Sequence, residues 1–172
     1  MRKAISTGLL RLLFLGVPVT AGLFTTACKK DVVVTNQDYS AIDEAIIVKY
    51  LADNKITTAQ RQPSGLYYVP VTANTSAVRA TAGKTVSVLY TGRLMDGTVF
   101  DASSQHGNTA ISFLLGRGQV IAGWDEGIAL MYKGDKGVLL IPSALGYGAS
   151  GAGQSIPPNA VLRFEVELTD VK

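Results

Sequence analysis

The sequence predicts an α+β domain, in which several antiparallel strands carry one short helix on a face of their sheet, behind an N-terminal leader and a separate first helix. Three observations carry that reading. The run from Leu162 to Thr169 places Leu162, Phe164, Val166 and Leu168 on one side and Arg163, Glu165, Glu167 and Thr169 on the other, as expected of a strand with one buried and one solvated face. Val86, Val88 and Tyr90 repeat the same period between Thr85, Ser87 and Leu89. Against this background Trp124 to Tyr132 reads as a single short helix, stopped at Lys133-Gly134, where glycine takes a left-handed cap without a Cβ penalty. Many strands with one short helix make an α+β layer, the helix covering one sheet face.

Composition bounds the problem first. The 172 residues suit one domain plus an extra segment, and 47% apolar content is ordinary for a globular protein. Met1 to Ala27 reads as a secretory signal: Arg2 and Lys3 open it, an apolar run begins at Leu9, and the small residues Thr25-Thr26-Ala27 precede Cys28. Arg11, Gly16, Pro18 and Gly22 interrupt the run, whereas a membrane-spanning helix needs about 20 apolar residues. Loss of the leader removes three of the sixteen basic residues, and the thirteen that remain balance thirteen acidic ones. The basic excess disappears, and with it the case for a nucleic-acid partner.

Cys28 is the only cysteine, so it can form neither an intramolecular disulfide nor a thiolate cluster. Its position directly after the small residues resembles a bacterial lipoprotein box, in which the cysteine becomes the lipidated first residue; Thr25 stands where that box usually has leucine. Acyl chains hold a protein on a membrane at about 0.8 kcal/mol per buried CH₂. With Lys29 rather than an aspartate next in line, the resemblance implies a cell-envelope protein lipid-anchored in the outer membrane, facing the periplasm or the cell surface.

Residues 28–63 are expected to form a tether and a short amphipathic helix. Ser40-Ala41-Ile42-Asp43 has the spacing of a capping box, with hydroxyl and carboxylate satisfying orphan N–H groups. Ile42, Ala45, Ile46 and Tyr50 follow at helical spacing, which predicts a helix from about Ala41 to Ala52 packed against its own domain. At about three turns it is short for a stable independent coiled coil. Thr57 to Pro63 reads as a polar link, and the main domain is expected over 64–172. Leu66 to Val69 predicts a strand ended by Pro70. The turn Asp96-Gly97 separates Gly92-Arg93-Leu94-Met95 from Thr98-Val99-Phe100-Asp101. Ile111 to Leu115 and Val138 to Ile141 are further strands, the latter closed by Pro142.

Several chemistries are set aside. Gly146-Tyr147-Gly148-Ala149-Ser150-Gly151 has the letters of a dinucleotide fingerprint, but no helix follows it to hold a pyrophosphate. His106 is the only histidine and sits in a Ser/Gln/Gly/Asn loop, which reads as solvent-exposed rather than catalytic. One histidine and one cysteine make no zinc site, and no cofactor motif is present. Trp124 alone is ambiguous between core filler and the floor of an apolar pocket.

Seven segments resolve the ambiguity by their order. Val88-Leu89-Tyr90-Thr91-Gly92, Asp96-Gly97-Thr98-Val99-Phe100-Asp101, Val120-Ile121-Ala122-Gly123-Trp124-Asp125-Glu126-Gly127, Ile141-Pro142-Ser143, Tyr147-Gly148, Ile156-Pro157-Pro158-Asn159-Ala160 and Leu162-Arg163-Phe164-Glu165-Val166-Glu167-Leu168 occur in sequence. Together they resemble the FKBP-type peptidyl-prolyl cis-trans isomerases over about Ser64 to Lys172. The resemblance implies a curved antiparallel sheet wrapped around one short helix and a non-covalent isomerase without metal or cofactor. Its implied partners are Pro-containing polypeptides and macrolide inhibitors, and the expected state is a monomer. It also implies site roles, in which Tyr90, Phe100, Asp101, Ile121 and Tyr147 act on the substrate while Phe113, Val120, Trp124, Ile156 and Phe164 bind it. In that family a backbone N–H at the Ile121 position and a hydroxyl at the Tyr147 position hold substrate carbonyls, and the Asp101 carboxylate, within reach of Tyr90, shapes the polar end. Many relatives carry an aromatic residue where Ile111 stands, and some a histidine where Ala152 stands. The competing expectation is a non-catalytic periplasmic chaperone or adaptor that holds Pro-containing segments in the same groove.

Overall fold

Alternating runs build the sheet. In a computed structural model that describes residues 38–172, seven strands pair antiparallel: β1 (Gln60–Arg61), β2 (Tyr67–Thr72), β3 (Thr85–Leu94), β4 (Val99–Ala102), β5 (Ile111–Leu114), β6 (Lys136–Ile141) and β7 (Leu162–Val171). Their order is β1-β2-β6-β7-β3-β4, with β5 also on β3. Two helices accompany them, α1 (Ser40–Asp53) and α2 (Ala122–Ile128). The leader Met1 to Ala27, Cys28 and the start of the tether lie outside the described residues.

Strand β7 is central and has the alternation read from its sequence: Leu162, Phe164, Val166 and Leu168 are buried, between β6 on one side and β3 on the other. Register shifts at Pro70/Thr72, Gly92/Arg93 and Ser87/Val88 interrupt the ladders; bulges of this kind bend a strand and increase its twist, so the sheet curves around α2. The helix lies close on β6 because Gly123 and Gly127 share its inner face. A Cβ on Gly123 would stand 2.5 Å from Ile141 Cγ2, and one on Gly127 would stand 2.6 Å from Leu139 Cδ2. That approach buries Trp124 and Ile128 in the main core with Val86, Val88, Leu139 and Ile141.

A second apolar cluster occupies the other face at one end. Ile47 and Leu51 of α1 pack on Tyr67, Val69, Leu140 and Val161. This explains β2, which is buried at Tyr67, Tyr68 and Val69 in succession rather than at alternate positions: its end of the sheet is covered on both faces. The helix therefore packs on its own domain as expected, but not through the expected stripe: Ile42, Ala45 and Ile46 are exposed, and Ile47 and Leu51 form the buried face with Asp43. Helix and domain belong to one compact unit, Asn36–Lys172.

Several expectations are corrected. The helix begins at Ala122 and ends at Ile128, earlier at both ends than Trp124 to Tyr132: its first turn closes on Ile121 O, which accepts from Trp124 N–H (2.9 Å), and its end is early because Met131 O and Lys133 N–H are claimed by Ala80 N–H (3.0 Å) and Val78 O (2.8 Å). Gly134 does have φ +90°, but it serves the turn before β6 rather than a helix end. The capping box does not form: the N-cap is Tyr39, no side chain caps the helix, and the Asp43 carboxylate reaches Ser143 instead. Pro70 lies inside β2 opposite Gly137 instead of ending it, and Gly92 to Leu94 continue β3 past its bulges. The polar link contains a short edge strand, β1, that its composition does not betray.

Candidate functional site

Curvature of the sheet and the start of α2 bring the aromatic residues together. Trp124 is the third residue of α2, within its first turn, and is 4% exposed. Its indole meets Tyr90 of β3 and Phe164 of β7 edge to face, each at 5.2 Å between ring centroids. Phe100 of β4 meets Phe164 in the same way at 5.4 Å, the arrangement favoured by the ring quadrupoles. Phe100 and Phe164 can approach because Gly92, opposite Phe164 on β3, has no side chain: a Cβ there would stand 2.6 Å from Phe100 and 2.8 Å from Phe164.

These rings bound an open cavity of about 420 Å³. Nine of the ten residues singled out in the sequence line it: Tyr90, Phe100, Asp101, Val120, Ile121, Trp124, Tyr147, Ile156 and Phe164. Phe113 does not. It is 5% exposed and packs behind the indole at 5.9 Å, because it sits two residues further along β5 than Ile111, opposite Val86 rather than Val88. Ile111, 40% exposed, lines the cavity in its place. Gln119, Ala152 and Ser155 complete the wall. A larger groove of about 550 Å³ lies beside the outward residues Val71, Lys136, Glu165 and Glu167, but it is bordered by the Lys136–Glu167 ion pair and gathers no aromatic cluster.

One end of the cavity is polar. The Tyr90 hydroxyl donates to Asp101 Oδ2 at 2.5 Å, and His106 Nε2 stands 2.8 Å from Asp101 Oδ1. Burial works to raise the Asp101 carboxyl, but the hydrogen bonds from Tyr90 and His106 outweigh it and hold the group below the usual carboxylate value. Burial, reinforced by the bond to that carboxylate, pushes the Tyr90 phenol upward, so the pair is a phenol donating to a carboxylate at neutral pH. The segment after β4 is locked to β3 by Tyr90 N–H donating to Ser103 Oγ at 3.0 Å. His106 is exposed as expected of a loop residue, yet it ends the 3₁₀ turn Ser103–His106 and thereby reaches Asp101. Sequence spacing alone, five residues from an aspartate in a polar stretch, carries no such signal.

The remaining polar groups come from backbone and rim. Ile121 is the N-cap of α2, in extended conformation, with its carbonyl accepting from Trp124 N–H at 2.9 Å. Its own N–H belongs to the set of donors that a helix start leaves without intrahelical partners. Asp125 steadies this entry by accepting from Gly116 and Gly118 N–H, both at 2.9 Å. Tyr147 is 39% exposed at the mouth. Beyond it the rim is closed by Ala152 and Ile156, which exchange N–H···O bonds of 2.9 and 3.1 Å, and by Asn159 N–H donating to Gly148 O at 2.8 Å. The whole offers an apolar floor and walls, one anchored carboxylate, and donors at the edge. Such a surface binds and orients.

Comparison with known proteins gives the same picture. The family model described as FKBP-type peptidyl-prolyl cis-trans isomerase matches residues 76–169, which include every cavity residue named above. The chain is similar to FK506-binding protein 2 of Candida glabrata, 55% identical over 95 residues that cover 55% of this chain and 69% of that protein. It is 54% identical over 92 residues to the FK506-binding protein of Neisseria meningitidis serogroup C, covering 54% of this chain and 84% of the relative. Among solved structures it resembles FkpA of Escherichia coli with a TM-score of 0.66 and 39% identity, over 77% of this chain and 61% of that one. With the match running through more than half of the chain and through the residues that build the cavity, the chain belongs to the family of FKBP-type peptidyl-prolyl cis-trans isomerases.

Proposed function

We propose that the cavity accelerates X-Pro rotation in extracytoplasmic polypeptides by binding the twisted amide in preference to either planar form. Rotation about a peptide bond breaks amide resonance and faces a barrier of about 18–20 kcal/mol; no bond to a neighbour need be made or cleaved. A twisted amide has less charge separation between nitrogen and oxygen than a planar one, so an apolar, water-poor site disfavours it less. Each tenfold acceleration requires only about 1.4 kcal/mol of preferential transition-state binding. The observation that supports this reading is the convergence of Tyr90, Phe100, Trp124 and Phe164 on one cavity whose single carboxylate is already engaged by Tyr90.

The roles within this proposal are those that the family resemblance implies. Trp124 is the floor, with Phe100 and Phe164 as walls for a pyrrolidine ring. The Ile121 N–H and Tyr147 hydroxyl donate to substrate carbonyls on either side of the proline. Asp101 holds Tyr90 and shapes the polar end, as an orienting group and not a proton donor. Macrolides with a ring of similar shape compete for the same walls. Phe100→Ala and Asp101→Ala are expected to remain folded and to lose at least about tenfold in kcat/KM toward an X-Pro test peptide, one lost contact accounting for a factor of that size. Wild-type rates in both would overturn the reading.

Lipidation of Cys28 after cleavage at Ala27 would place this activity on the cell envelope, on the outer membrane facing the periplasm or the cell surface. Support for that placement is the order of basic residues, apolar run, small residues and cysteine in the leader. Cys28→Ser is expected to release the protein from the membrane fraction into the soluble one, and continued partition with membranes would put the anchor elsewhere.

A further inference from the structure

Helix α1 lies outside the stretch matched by the family model, yet it grips the segment that leads to Tyr147. We propose that Asp43 is a positioning residue for Tyr147, its buried carboxylate fixing the turn from Pro142 to Gly146 and through it the placement of the tyrosine at the cavity mouth. The proposal rests on the reading of Tyr147 as a substrate-facing group.

The contact is built from buried parts. Asp43 is 1% exposed and Ser143 2%. One oxygen, Asp43 Oδ2, accepts both from Ser143 N–H at 2.9 Å and from Ser143 Oγ–H at 2.7 Å, so backbone and side chain of Ser143 are held together. The other oxygen, Oδ1, has no hydrogen-bond partner among the described residues. A carboxylate buried in this way is a costly means of attaching a helix, and Ile47 and Leu51 already attach α1 through apolar contact. What apolar contact cannot do is fix a backbone at one point, because it has no directionality, whereas two convergent hydrogen bonds have it.

From Ser143 the constraint has a short path. Ser143 opens a 3₁₀ turn, Ser143–Leu145, in which Leu145 N–H donates to Pro142 O and Gly146 N–H to Ser143 O, both at 3.0 Å. Tyr147 follows Gly146 directly and is the N-cap of the next such turn, Gly148–Ser150. Downstream, the rim is pinned independently by the Ala152–Ile156 pair and by Asn159 on Gly148. Release of Ser143 therefore loosens the approach to Tyr147 while leaving the far side of the rim and the aromatic floor in place.

A double-mutant cycle in the full chain tests the proposal, with Asp43→Ala, Tyr147→Phe and both together, read by kcat/KM toward an X-Pro peptide and by amide hydrogen exchange. Ser143→Ala, which removes only the hydroxyl bond, serves as the milder variant and decides the matter if Asp43→Ala does not fold. Asp43→Ala is expected to lower kcat/KM about tenfold and Ser143→Ala about threefold, sizes that loss of one or part of one substrate hydrogen bond would give. On the Tyr147→Phe background neither change is expected to lower the rate further, because residues acting as a unit are not additive. The amides of Leu145 and Gly146 are expected to exchange faster while those of β3 and β7 keep their protection. Full, additive loss on the Tyr147→Phe background would overturn the proposal, since Asp43 would then act elsewhere. Unchanged exchange at Leu145 and Gly146 would overturn it as well. A wild-type rate in Tyr147→Phe itself refutes the role given to the hydroxyl, and the exchange result then stands alone in deciding whether Asp43 holds the turn.

Discussion

Gly92→Ala isolates the geometry of the pocket with a single methyl group. Gly92 lies within β3 and is absent from the positive-φ positions, so the change is steric and carries no backbone penalty. The added Cβ would stand 2.6 Å from two atoms of the Phe100 ring and 2.8 Å from one of Phe164. Ordinary contact begins at about 3.4 Å, so the Phe100 ring must retreat by roughly 0.8 Å and Phe164 by roughly 0.6 Å, displacements for which overpacking costs about 1–3 kcal/mol. Phe100, half-buried at the cavity edge, swings outward, and Phe164, 4% exposed but also lining the cavity, gives toward it. The stability loss should then fall near the low end of that range, while a displacement approaching 1 Å in a binding wall can cost about 100-fold in rate. The control is Gly137→Ala, whose Cβ would stand 2.5 Å from the Tyr68 ring, outside the cavity lining. Urea denaturation and prolyl-isomerisation kinetics on both variants separate the effects: Gly137→Ala loses stability with kcat/KM within a few fold of wild type, and Gly92→Ala loses activity out of proportion to stability. Equal activity in the two variants would refute the claim that Gly92 exists to let the two rings close the pocket.

Two further outcomes follow from the same site. Trp124→Ala should cost about 3–5 kcal/mol, the usual loss for a buried tryptophan, and nearer the lower figure because the ring borders an open cavity; chemical denaturation measures it, and a loss below about 1 kcal/mol would mean that the indole is not structural. Asp101 has a carboxyl held below its ordinary 3.8, so its folded state favours the charged form: its contribution is present above that value and is lost as pH falls through the lowered one. Activity should therefore show no loss through Asp101 from neutral pH down to about pH 5 and fall only below 3.8; a pH–rate profile that declines there in the wild type but not in Asp101→Asn tests the assignment.

Legibility in the sequence depended on how local the cause was. Strands β3 and β7 could be read because each has one buried and one solvated face for most of its length. Strand β2 loses that period because α1 covers its outer face, a fact about residues about twenty positions upstream that no window contains. The end of α2 was misplaced for a similar reason: Met131 and Lys133 are diverted into pairing with Ala80 and Val78, so a helical spacing continued past the helix. Ser40 and Asp43 had the letters of a cap, but a carboxylate serves whichever donors the fold brings nearest, and Ser143 is a hundred positions away. In the site, the ordered segments identified nine cavity residues, yet Phe113 and Ile111 exchanged places because depth along a strand is not visible in a motif. Trp124 needed the structure most. Core and pocket floor were alternatives in the sequence; the indole is both, buried at 4% and still part of the lining.

The position of β7 has a consequence for how the enzyme comes into being. β7 alone joins β6 to β3, and Phe164 on it touches Phe100, Tyr90 and Trp124 at once. Until those residues, late in the chain, are available, the two halves of the sheet share no neighbour and the pocket lacks its central wall. Pairing between segments so distant in sequence is slow to close, and here the same strand completes both the sheet and the cavity. A chain without β7 in place lacks the aromatic ring that Phe100, Tyr90 and Trp124 share. The cavity therefore exists only once this long-range pairing is complete.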